Sequence, residues 1–416
     1  MKKLFLPVVI IALILSSVGA WPARAELTKG ETVGMNMHWA LDAFDANGKT
    51  EAFLRNTGTK WVREHFDTKL LQGPNKSGWL ARYDYVVSRY KANNIRVVGM
   101  LAYGPKADRQ FQVDDIGVWK RHIKEIVGRY KNSIKVWQIW NEPDSPDFLW
   151  HNSPEEYRRI LKSGYEAVKE ADPQATVLSA GISYPNEAFI ETMYRLNGDT
   201  FDNLALHLYY CRNYNDNRAN TELEDGLNNL YNNVIKKYRP DEKIWITEMG
   251  CSTEGGITES LQNEYFQKKV PYVVSLPFVD KVFLYTYRNR VIGNSYEDNF
   301  GFMTRGLEPK PSFWWYNSIP KGPYNEFRQF PAVEQAQAQK LRQELESYFG
   351  PGQIPISAHN WNTIVNSYIY GGYPVPAIAR AIRFGGRTVH PSIKWQSWKE
   401  TDTYKTWIEI NPFAIR

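Results

Sequence analysis

Two glutamates end apolar segments of the chain, and their positions suggest acid–base chemistry. The segment VWQIWNEPD (136–144) reads as a buried strand that stops at Pro143, because proline cannot donate to a sheet ladder. The segment KIWITEMG (243–250) is a second short apolar strand that ends in Glu248 and a glycine turn. Two carboxyl groups in one cleft, here Glu142 and Glu248, are what glycosidic bond hydrolysis requires: one protonates the leaving oxygen and the other attacks or activates water.

One glutamate at a strand end is weak evidence, because such a residue more often caps a helix or forms a salt bridge. The matched pair is stronger, particularly since Asn141 precedes the first glutamate. The interpretation therefore depends on whether the intervening elements bring both strand ends to one cleft.

Strand-like and helix-like segments alternate along the chain, which predicts a parallel sheet covered by helices. The eight predicted strands are 33–39, 61–66, 96–102, 135–141, 176–182, 203–209, 243–248 and 281–287. Eight such units predict a (β/α)8 barrel, with Glu142 ending the fourth strand and Glu248 the seventh, on opposite sides of one cleft. A doubly wound open sheet is the alternative, but no glycine-rich phosphate loop follows the first strand.

The WNEP (140–143) and WITEMG (245–250) motifs resemble those of the clan A glycoside hydrolases, particularly families 5 and 39. The resemblance covers roughly residues 30–318 and implies a (β/α)8 barrel. It implies that Glu142 is the acid/base, Glu248 the nucleophile, and Asn141 a ligand of the sugar 2-hydroxyl. It further implies a retaining, double-displacement mechanism that needs no cofactor and no metal.

Arg63 matches the arginine that the family carries on its second strand, where a cation would keep Glu248 ionised by lowering its pKa. The alternative is a buried arginine paired with Glu64.

The sequence His207-Leu208-Tyr209 resembles the family's His-x-Tyr motif on the sixth strand. Alternation along a strand puts both side chains on one face. Tyr209 is then expected to donate to Glu248, and His207 to contact Glu142 or the sugar. A core histidine satisfied by the backbone is the alternative.

Four further residues resemble substrate-binding positions of the family: His38, Trp39, Tyr103 and Tyr287. Strand-end aromatics also commonly cap barrels, which is the alternative for the first three. Tyr287 stands in the register of a tryptophan that forms the family's sugar platform, and a tyrosine stacks with less area. The loop residues Asp147, Phe148, Trp150 and His151 are expected to shape the cleft.

The chain has two cysteines, Cys211 and Cys251, which follow the predicted sixth and seventh strands. Two cysteines alone argue against a metal site, and an exported protein permits a disulfide. Neighbouring strand ends could bring them within bonding distance, whereas two free buried thiols are the alternative.

Residues 1–25 have the pattern of a secretion signal: Lys2 and Lys3, an apolar stretch at 4–15, and a small-x-small site at 23–25. They predict a secreted or periplasmic protein without stable membrane insertion after cleavage, and an uncleaved anchor is the alternative. Removing Lys2, Lys3 and Arg24 takes the net charge from +6 to +3, which argues against nucleic acid as a partner.

Residues 26–320 are predicted to form the catalytic domain, and the composition changes after them. Residues 321–331 read as a connector, 332–349 as a helix, and 361–370 and 375–382 as shorter helices. We therefore expect residues 321–416 to be a small, mainly helical accessory module, and export argues against DNA binding by it.

Together these features predict a retaining glycosidase acting on a β-linked poly- or oligosaccharide. One alternative is a non-catalytic carbohydrate-binding or cell-envelope protein on a degenerate barrel. Another is a transglycosylase that uses the same residues.

Overall fold

The computed structural model describes residues 27–41, 44, 48–71, 73–103, 115–149, 152–211, 217–320, 332–354, 375–376 and 378–379. The strands are β1 Val33–Asn36, β2 Trp61–Asp67, β3 Arg96–Ala102, β4 Val136–Ile139, β5 Thr176–Ser183, β6 Asn203–Leu208, β7 Ile244–Gly250 and β8 Val279–Tyr285. The helices are α1 Lys49–Thr57, α2 Lys76–Ala92, α3 Ile116–Tyr130, α4 Pro154–Ala171, α5 Glu187–Asn197, α6 Asn217–Leu230, α7 Lys236–Tyr238, α8 Glu259–Ser275, α9 Ser295–Asp298, α10 Pro311–Ser318 and α11 Ala332–Phe349. A π-helical turn, Tyr231–Ile235, joins α6 to α7.

The eight strands form a closed parallel barrel in sequence order. Closure is seen at β1, which pairs with β2 through Met35↔Val62 and with β8 through Val33↔Val282. The predicted (β/α)8 barrel is confirmed, and the open doubly wound sheet is excluded because neither β1 nor β8 is an edge.

Side-chain caps mark the starts of two covering helices. Asp115 caps α3 by accepting from the Val118 N–H at 2.9 Å. Ser153 caps α4 by accepting from Glu156, and Pro154 occupies its first turn. The longer helices, such as α3 with Trp119, Ile123 and Ile126, bury an apolar stripe, so the sheet is covered from outside.

Apolar side chains fill one end of the barrel interior. This layer consists of Trp61, Val98, Val136, Leu178, Ala205, Trp245 and Phe283. Six of the seven lie in the N-terminal halves of their strands and Phe283 lies one residue past the centre of β8, so the hydrogen-bonded polar residues around Glu248 lie beyond this layer, at the C-terminal end.

The C-terminal region contains the predicted helix, since α11 spans Ala332–Phe349. Leu341 and Leu345 are fully buried on it. The predicted helix at 361–370, half of that at 375–382, and the predicted signal at 1–25 lie outside the described residues. Within the described residues, no helix combines the length and apolar character needed to span a membrane.

Helix α4 approaches β4 unusually closely, and Gly164 permits this. A Cβ at Gly164 would lie 2.7 Å from Ile139 Cγ2 and 2.9 Å from the Trp119 ring. By contrast, a Cβ at Gly128 on α3 would meet nothing within 4 Å. The strand that leads to Glu142 is therefore packed directly against a helix backbone.

These two glycines give a matched test of that packing. We expect Gly164→Ala to destabilise the fold, because overpacking costs about 1–3 kcal/mol and outweighs the helix-propensity gain. Gly128→Ala should instead stabilise it, by about 0.5–1 kcal/mol. The free energies of unfolding from denaturant titration check the pair, and equal shifts for both variants would contradict the close approach.

Candidate active site

Glu142 lies just beyond β4 on a turn with unusual backbone geometry. Its φ is 40° and that of Trp140 is 77°, both in the left-handed region that residues with a Cβ rarely adopt. The Glu142 N–H donates to the Gly181 carbonyl at 3.0 Å, which fixes the turn against β5. β4 ends at Ile139, two residues earlier than predicted, because this turn replaces regular pairing.

Glu248 reaches the barrel interior through an irregularity in β7. Trp245 belongs to the interior apolar layer, so regular alternation would turn Thr247 inward and Glu248 outward. The β6–β7 register instead shifts, from Leu206↔Ile246 to His207↔Glu248. This bulge puts Glu248 opposite His207 and facing the cleft.

The two glutamates and His207 form one cluster, in which one ligand-type atom from each residue lies within 4.8 Å of the others. His207 Nδ1 is 2.7 Å from Glu142 Oε1 and 3.6 Å from Glu248 Oε2. His207 is fully buried, and its ring occupies the space above Gly181, where a Cβ would be 1.9 Å from Nε2. The three side chains offer ligand atoms that could also hold a cation.

Glu248 is strongly stabilised as a carboxylate. Burial by itself would raise the pKa of Glu248, but the charges of His207 and Arg63 and a hydrogen bond from Tyr209 lower it well below its usual value. The Arg63 Nη1 atom is 2.5 Å from Glu248 Oε1, and the Tyr209 hydroxyl donates to Oε2. Arg63 and Tyr209 therefore make the contacts with Glu248 that the resemblance implied.

Arg63 also contacts residues of three other strands, β1, β3 and β4. Its Nε donates to Gln138 Oε1 at 2.9 Å, its Nη1 to Asn36 Oδ1 at 2.9 Å, and its Nη2 to Asn141 Oδ1 at 3.1 Å. Its Nη2 also lies 2.7 Å from the Met100 sulfur. Because the Asn141 oxygen accepts from Arg63, the Asn141 amide nitrogen remains as the donor toward the cleft. Sequence reasoning did not identify Asn36 and Gln138.

The neighbouring Glu64 serves the backbone of the first loop. It accepts from the N–H groups of Trp39 and Ala40 at 3.1 and 3.2 Å, and from the Tyr90 hydroxyl at 2.6 Å. These three hydrogen bonds explain why Glu64, the sequence neighbour of Arg63, is buried.

The prediction that Trp39 contacts substrate is wrong. Its side chain is fully buried and packs edge-on against Tyr90 and Tyr85, with ring centroids 5.4 and 6.1 Å away. Trp39 lies three residues beyond the end of β1 and directly after His38, whose φ is positive (48°), so the alternation of the strand does not set its direction.

His38 and Tyr103 lie at the cleft, as the substrate-binding prediction requires. The His38 ring is 5.6 Å from that of Tyr285, and neither of its nitrogens has a hydrogen-bond partner among the described residues. Burial, followed by the charges of Arg290 and His65, lowers the pKa of His38, so the ring is neutral. Tyr103 packs edge-on against Trp140 at 5.5 Å, and burial and the charge of Glu142 raise its pKa. Their roles in binding stay predictions.

The prediction that Tyr287 forms the sugar platform is wrong, and Tyr285 occupies the cleft instead. Tyr287 is 1% exposed and packs 4.5 Å from Phe53 of α1. Tyr285 lies 6.0 Å from Tyr209, ring to ring, and its hydroxyl accepts from Arg290 at 2.7 Å. Alternation fails as a guide here because β8 ends at Tyr285 and the chain turns away.

The loop after β4 contributes one further aromatic. Phe148 stacks on Tyr103 with centroids 6.4 Å apart, whereas Asp147 is exposed. Trp150 and His151 lie outside the described residues.

Cys211 and Cys251 are joined in a disulfide, with Cα atoms 5.2 Å apart. Both are buried. The bond links the segment after Tyr209 to the segment after Glu248, so it holds together the loops of two residues that contact each other.

Breaking this bond should lower stability without requiring any change in the cleft. For a separation of 40 residues, the chain-entropy model gives a loss of roughly 4 kcal/mol in a Cys211→Ser/Cys251→Ser variant. Denaturant unfolding with and without a thiol reductant measures it. The reductant should shift the midpoint of the wild type and leave the variant unmoved; an insensitive wild type would contradict the bond.

Glu297 is a third carboxyl group beside the site, and sequence reasoning missed it. It lies on the single turn α9, which Asn294 caps. Burial, then the negative charge of Glu248, raises its pKa to about 7, against a partial offset from Arg290. No strand pattern leads to this polar loop, so the sequence offered no signal for it.

Glu297 should make stability depend on pH near neutrality. The folded protein keeps this proton until about pH 7, whereas the unfolded chain loses it near 4.5. The contribution of Glu297 to the free energy of unfolding is therefore fully present below pH 4.5 and is lost as the pH rises through about 7. The Glu297→Gln variant should lose less stability than the wild type between pH 5 and pH 8. Glu254→Gln, at an exposed glutamate, controls for removing one charge, and parallel curves for all three proteins would contradict the effect.

A family model described as glycosyl hydrolase catalytic core matches residues 58–316. This range includes Glu142, His207, Glu248 and Arg63, together with the side chains that contact Arg63 except Asn36. The chain belongs to this glycosyl hydrolase family. The match covers more than half of the chain and ends within α10, so it spans most of the barrel.

Curated relatives align over about a quarter of the chain. A β-xylosidase from Caldicellulosiruptor saccharolyticus is 31% identical over 101 residues, 22% of this chain and 20% of that protein. An intracellular exo-α-(1→5)-L-arabinofuranosidase from Acetivibrio thermocellus is 30% identical over 108 residues, 25% of this chain and 22% of that protein. The alignments thus span about a fifth of these relatives.

Solved structures share the fold at low identity. A GH39 β-xylosidase from Caulobacter crescentus gives a TM-score of 0.56 at 16% identity, covering 71% of this chain and 72% of that one. GH5_18 from Streptomyces cattleya gives 0.56 at 13% identity, covering 94% and 100%. The expected similarity to families 39 and 5 is confirmed at the level of fold.

Proposed function

We propose that this glycosyl hydrolase cleaves glycosidic bonds with retention of anomeric configuration, by double displacement. The observation that carries the proposal is the separation of Glu142 and Glu248, whose oxygens approach within 4.8 Å. Retaining enzymes need carboxyl groups about 5–5.5 Å apart, whereas inverting enzymes need about 6.5–9.5 Å to admit a water molecule.

In the first step, Glu248 is the nucleophile that attacks the anomeric carbon. Its ionisation is supported by the contacts from Arg63 and Tyr209. As the covalent bond forms, the negative charge of the carboxylate is neutralised, and the contacts from Arg63 and Tyr209 keep the carboxyl group oriented toward the anomeric carbon. Glu142 gives its proton to the leaving oxygen at the same time.

In the second step, Glu142 takes a proton from water, and that water attacks the glycosyl–enzyme ester. His207, 2.7 Å from Glu142 Oε1, acts as a positioning residue that holds the carboxyl group in one orientation. Asn141, whose oxygen accepts from Arg63, would donate to the sugar 2-hydroxyl through its amide nitrogen.

For the substrate, we propose a β-linked oligo- or polysaccharide, with β-xylosides the first to test. The β-xylosidase relative supports this choice, and the arabinofuranosidase relative makes α-L-arabinofuranosides the second. We also propose that the protein acts outside the cytoplasm, which the Cys211–Cys251 bond supports because disulfides persist in oxidising compartments. Residues 26–320 would form the catalytic domain, and 321–416 an accessory module.

Kinetics and stereochemistry test the proposed function together. Glu248→Ala should reduce kcat on 4-nitrophenyl glycosides by at least about 10³-fold, because no covalent intermediate can form. Glu142→Ala should lose about 10²–10⁴-fold on a substrate with a sugar leaving group, and less on the activated nitrophenyl group, which needs no acid. Proton NMR of the first product formed by the wild type should show the substrate's anomeric configuration.

Two outcomes would refute this function. A product of inverted configuration would exclude double displacement. A wild type and a Glu248→Ala variant that are equally inert, while both bind oligosaccharides, would support the non-catalytic binding protein. The variant Glu254→Gln serves as the control with an unaltered cleft.

A further inference from the structure

Tyr184 stands out on the catalytic end of the barrel. It directly follows β5 and is 45% exposed, one of four large hydrophobic residues exposed in the described part of the chain. A single exposed aromatic residue is ordinary on a protein surface. The backbone conformation and the hydrogen bonds of Tyr184, however, are unusual for an exposed residue.

The backbone of Tyr184 adopts a left-handed conformation, with φ of 59°. A residue with a bulky side chain is sterically disfavoured there, and such positions persist only where their surroundings fix them. Three hydrogen bonds do so here: its N–H donates to the His207 carbonyl at 3.1 Å, its hydroxyl to the Tyr209 carbonyl at 3.2 Å, and its own carbonyl accepts from the Asn186 N–H at 2.8 Å. The ring also meets Tyr210 edge-on at 5.2 Å.

The turn that carries Tyr184 is attached to the turn that carries Glu142. The Asp144 carboxylate accepts from the Ser183 N–H at 3.0 Å and from Asn186 Nδ2 at 3.3 Å. The Glu142 N–H in turn donates to the Gly181 carbonyl. The position of Tyr184 relative to Glu142 is thus fixed by hydrogen bonds. Its exposed ring contributes little to the hydrophobic core.

The position relative to the two carboxyl groups indicates which part of a substrate the ring would meet. The acid/base donates its proton to the leaving oxygen, so the leaving group lies on the side of Glu142. Tyr184 follows β5, the neighbour of β4, whereas Glu248 lies on β7 and Tyr285 on β8. The ring is therefore on the leaving-group side of the cleft.

We propose that Tyr184 is a stacking platform for the sugar unit on the leaving-group side of the scissile bond. A rigid aromatic face, pinned at its edge and hydroxyl, presents a flat apolar surface that suits the C–H face of an uncharged sugar ring. The enzyme would accordingly favour substrates whose leaving group is itself a sugar. This inference depends on the proposed glycosidase function.

The test compares two kinds of substrate in the same variants. The substrates are β-1,4-linked xylo-, manno- and gluco-oligosaccharides of two to six units, and the β-glycosyl fluorides of the same sugars, whose leaving group has no ring to stack. For Tyr184→Ala, kcat/KM on the best oligosaccharide should fall about five- to tenfold more than kcat/KM on the matching glycosyl fluoride. Tyr184→Phe keeps the ring and loses the hydroxyl contact, and should retain most of the oligosaccharide activity.

Tyr238→Ala is the matched control. Tyr238 also packs on another tyrosine, Tyr194, but it precedes β7 and lies at the opposite end of the barrel. It should leave the ratio of the two activities unchanged. Equal losses on both substrate kinds in Tyr184→Ala would overturn the proposal, because they would indicate only a disturbed Tyr209. Preserved oligosaccharide activity would also overturn it.

Binding separates this proposal from the proposed function. In a Glu142→Gln background, calorimetry with the same oligosaccharides measures the contribution of Tyr184 without turnover. A five- to tenfold weaker affinity on adding Tyr184→Ala supports the platform even if the wild type proves inert. Unchanged affinity, or no binding of any oligosaccharide, would reject it.

Discussion

The guanidinium of Arg63 is the centre on which the catalytic end of this barrel depends. A buried cation is costly unless its donors are all engaged and its charge is balanced. Here the balance comes from Glu248 on β7, and the remaining donors go to Asn36 on β1 and to Gln138 and Asn141 on or after β4. Arg63, Glu248 and the three side chains that accept from Arg63 thus form one network, and removing one member would leave another buried and unpaired.

This network also explains the division of the barrel interior. Aromatic and aliphatic side chains fill the N-terminal end, where Lys281 lies over the rings of Trp61 and Trp245. Because this layer is apolar and buried, it separates the Arg63–Glu248 ion pair from solvent at the N-terminal end of the barrel. Charge and hydrogen bonds inside a low-dielectric barrel are stronger than at a surface, so Glu248 can stay ionised although it is buried.

The sequence predicted those features that follow from alternation and strand counting. Eight strands, the glutamates at the ends of the fourth and seventh, and the side-by-side His207 and Tyr209 all follow from such patterns. Trp39 and Tyr287 were misplaced because each comes after a point where the regular strand stops, beyond which alternation has no meaning. Glu297 and Tyr184 were missed because they stand on loops whose paths are set by tertiary hydrogen bonds.

The bulge in β7 shows that the number of residues in a strand segment can matter more than their types. Thr247 contributes its carbonyl to Asn36 Nδ2 at 3.0 Å, a contact that any amino acid could make. The extra residue of the bulge matters in a different way. It shifts the alternation by one position, so the Glu248 side chain faces the cleft and not the helices. A strand of the same length without the bulge would present its glutamate to the helices, whereas a strand one residue shorter would present it to the cleft by regular alternation. The bulge and the spacing between Trp245 and the glutamate should therefore change together within this family, while the identity of the residue at position 247 varies more freely.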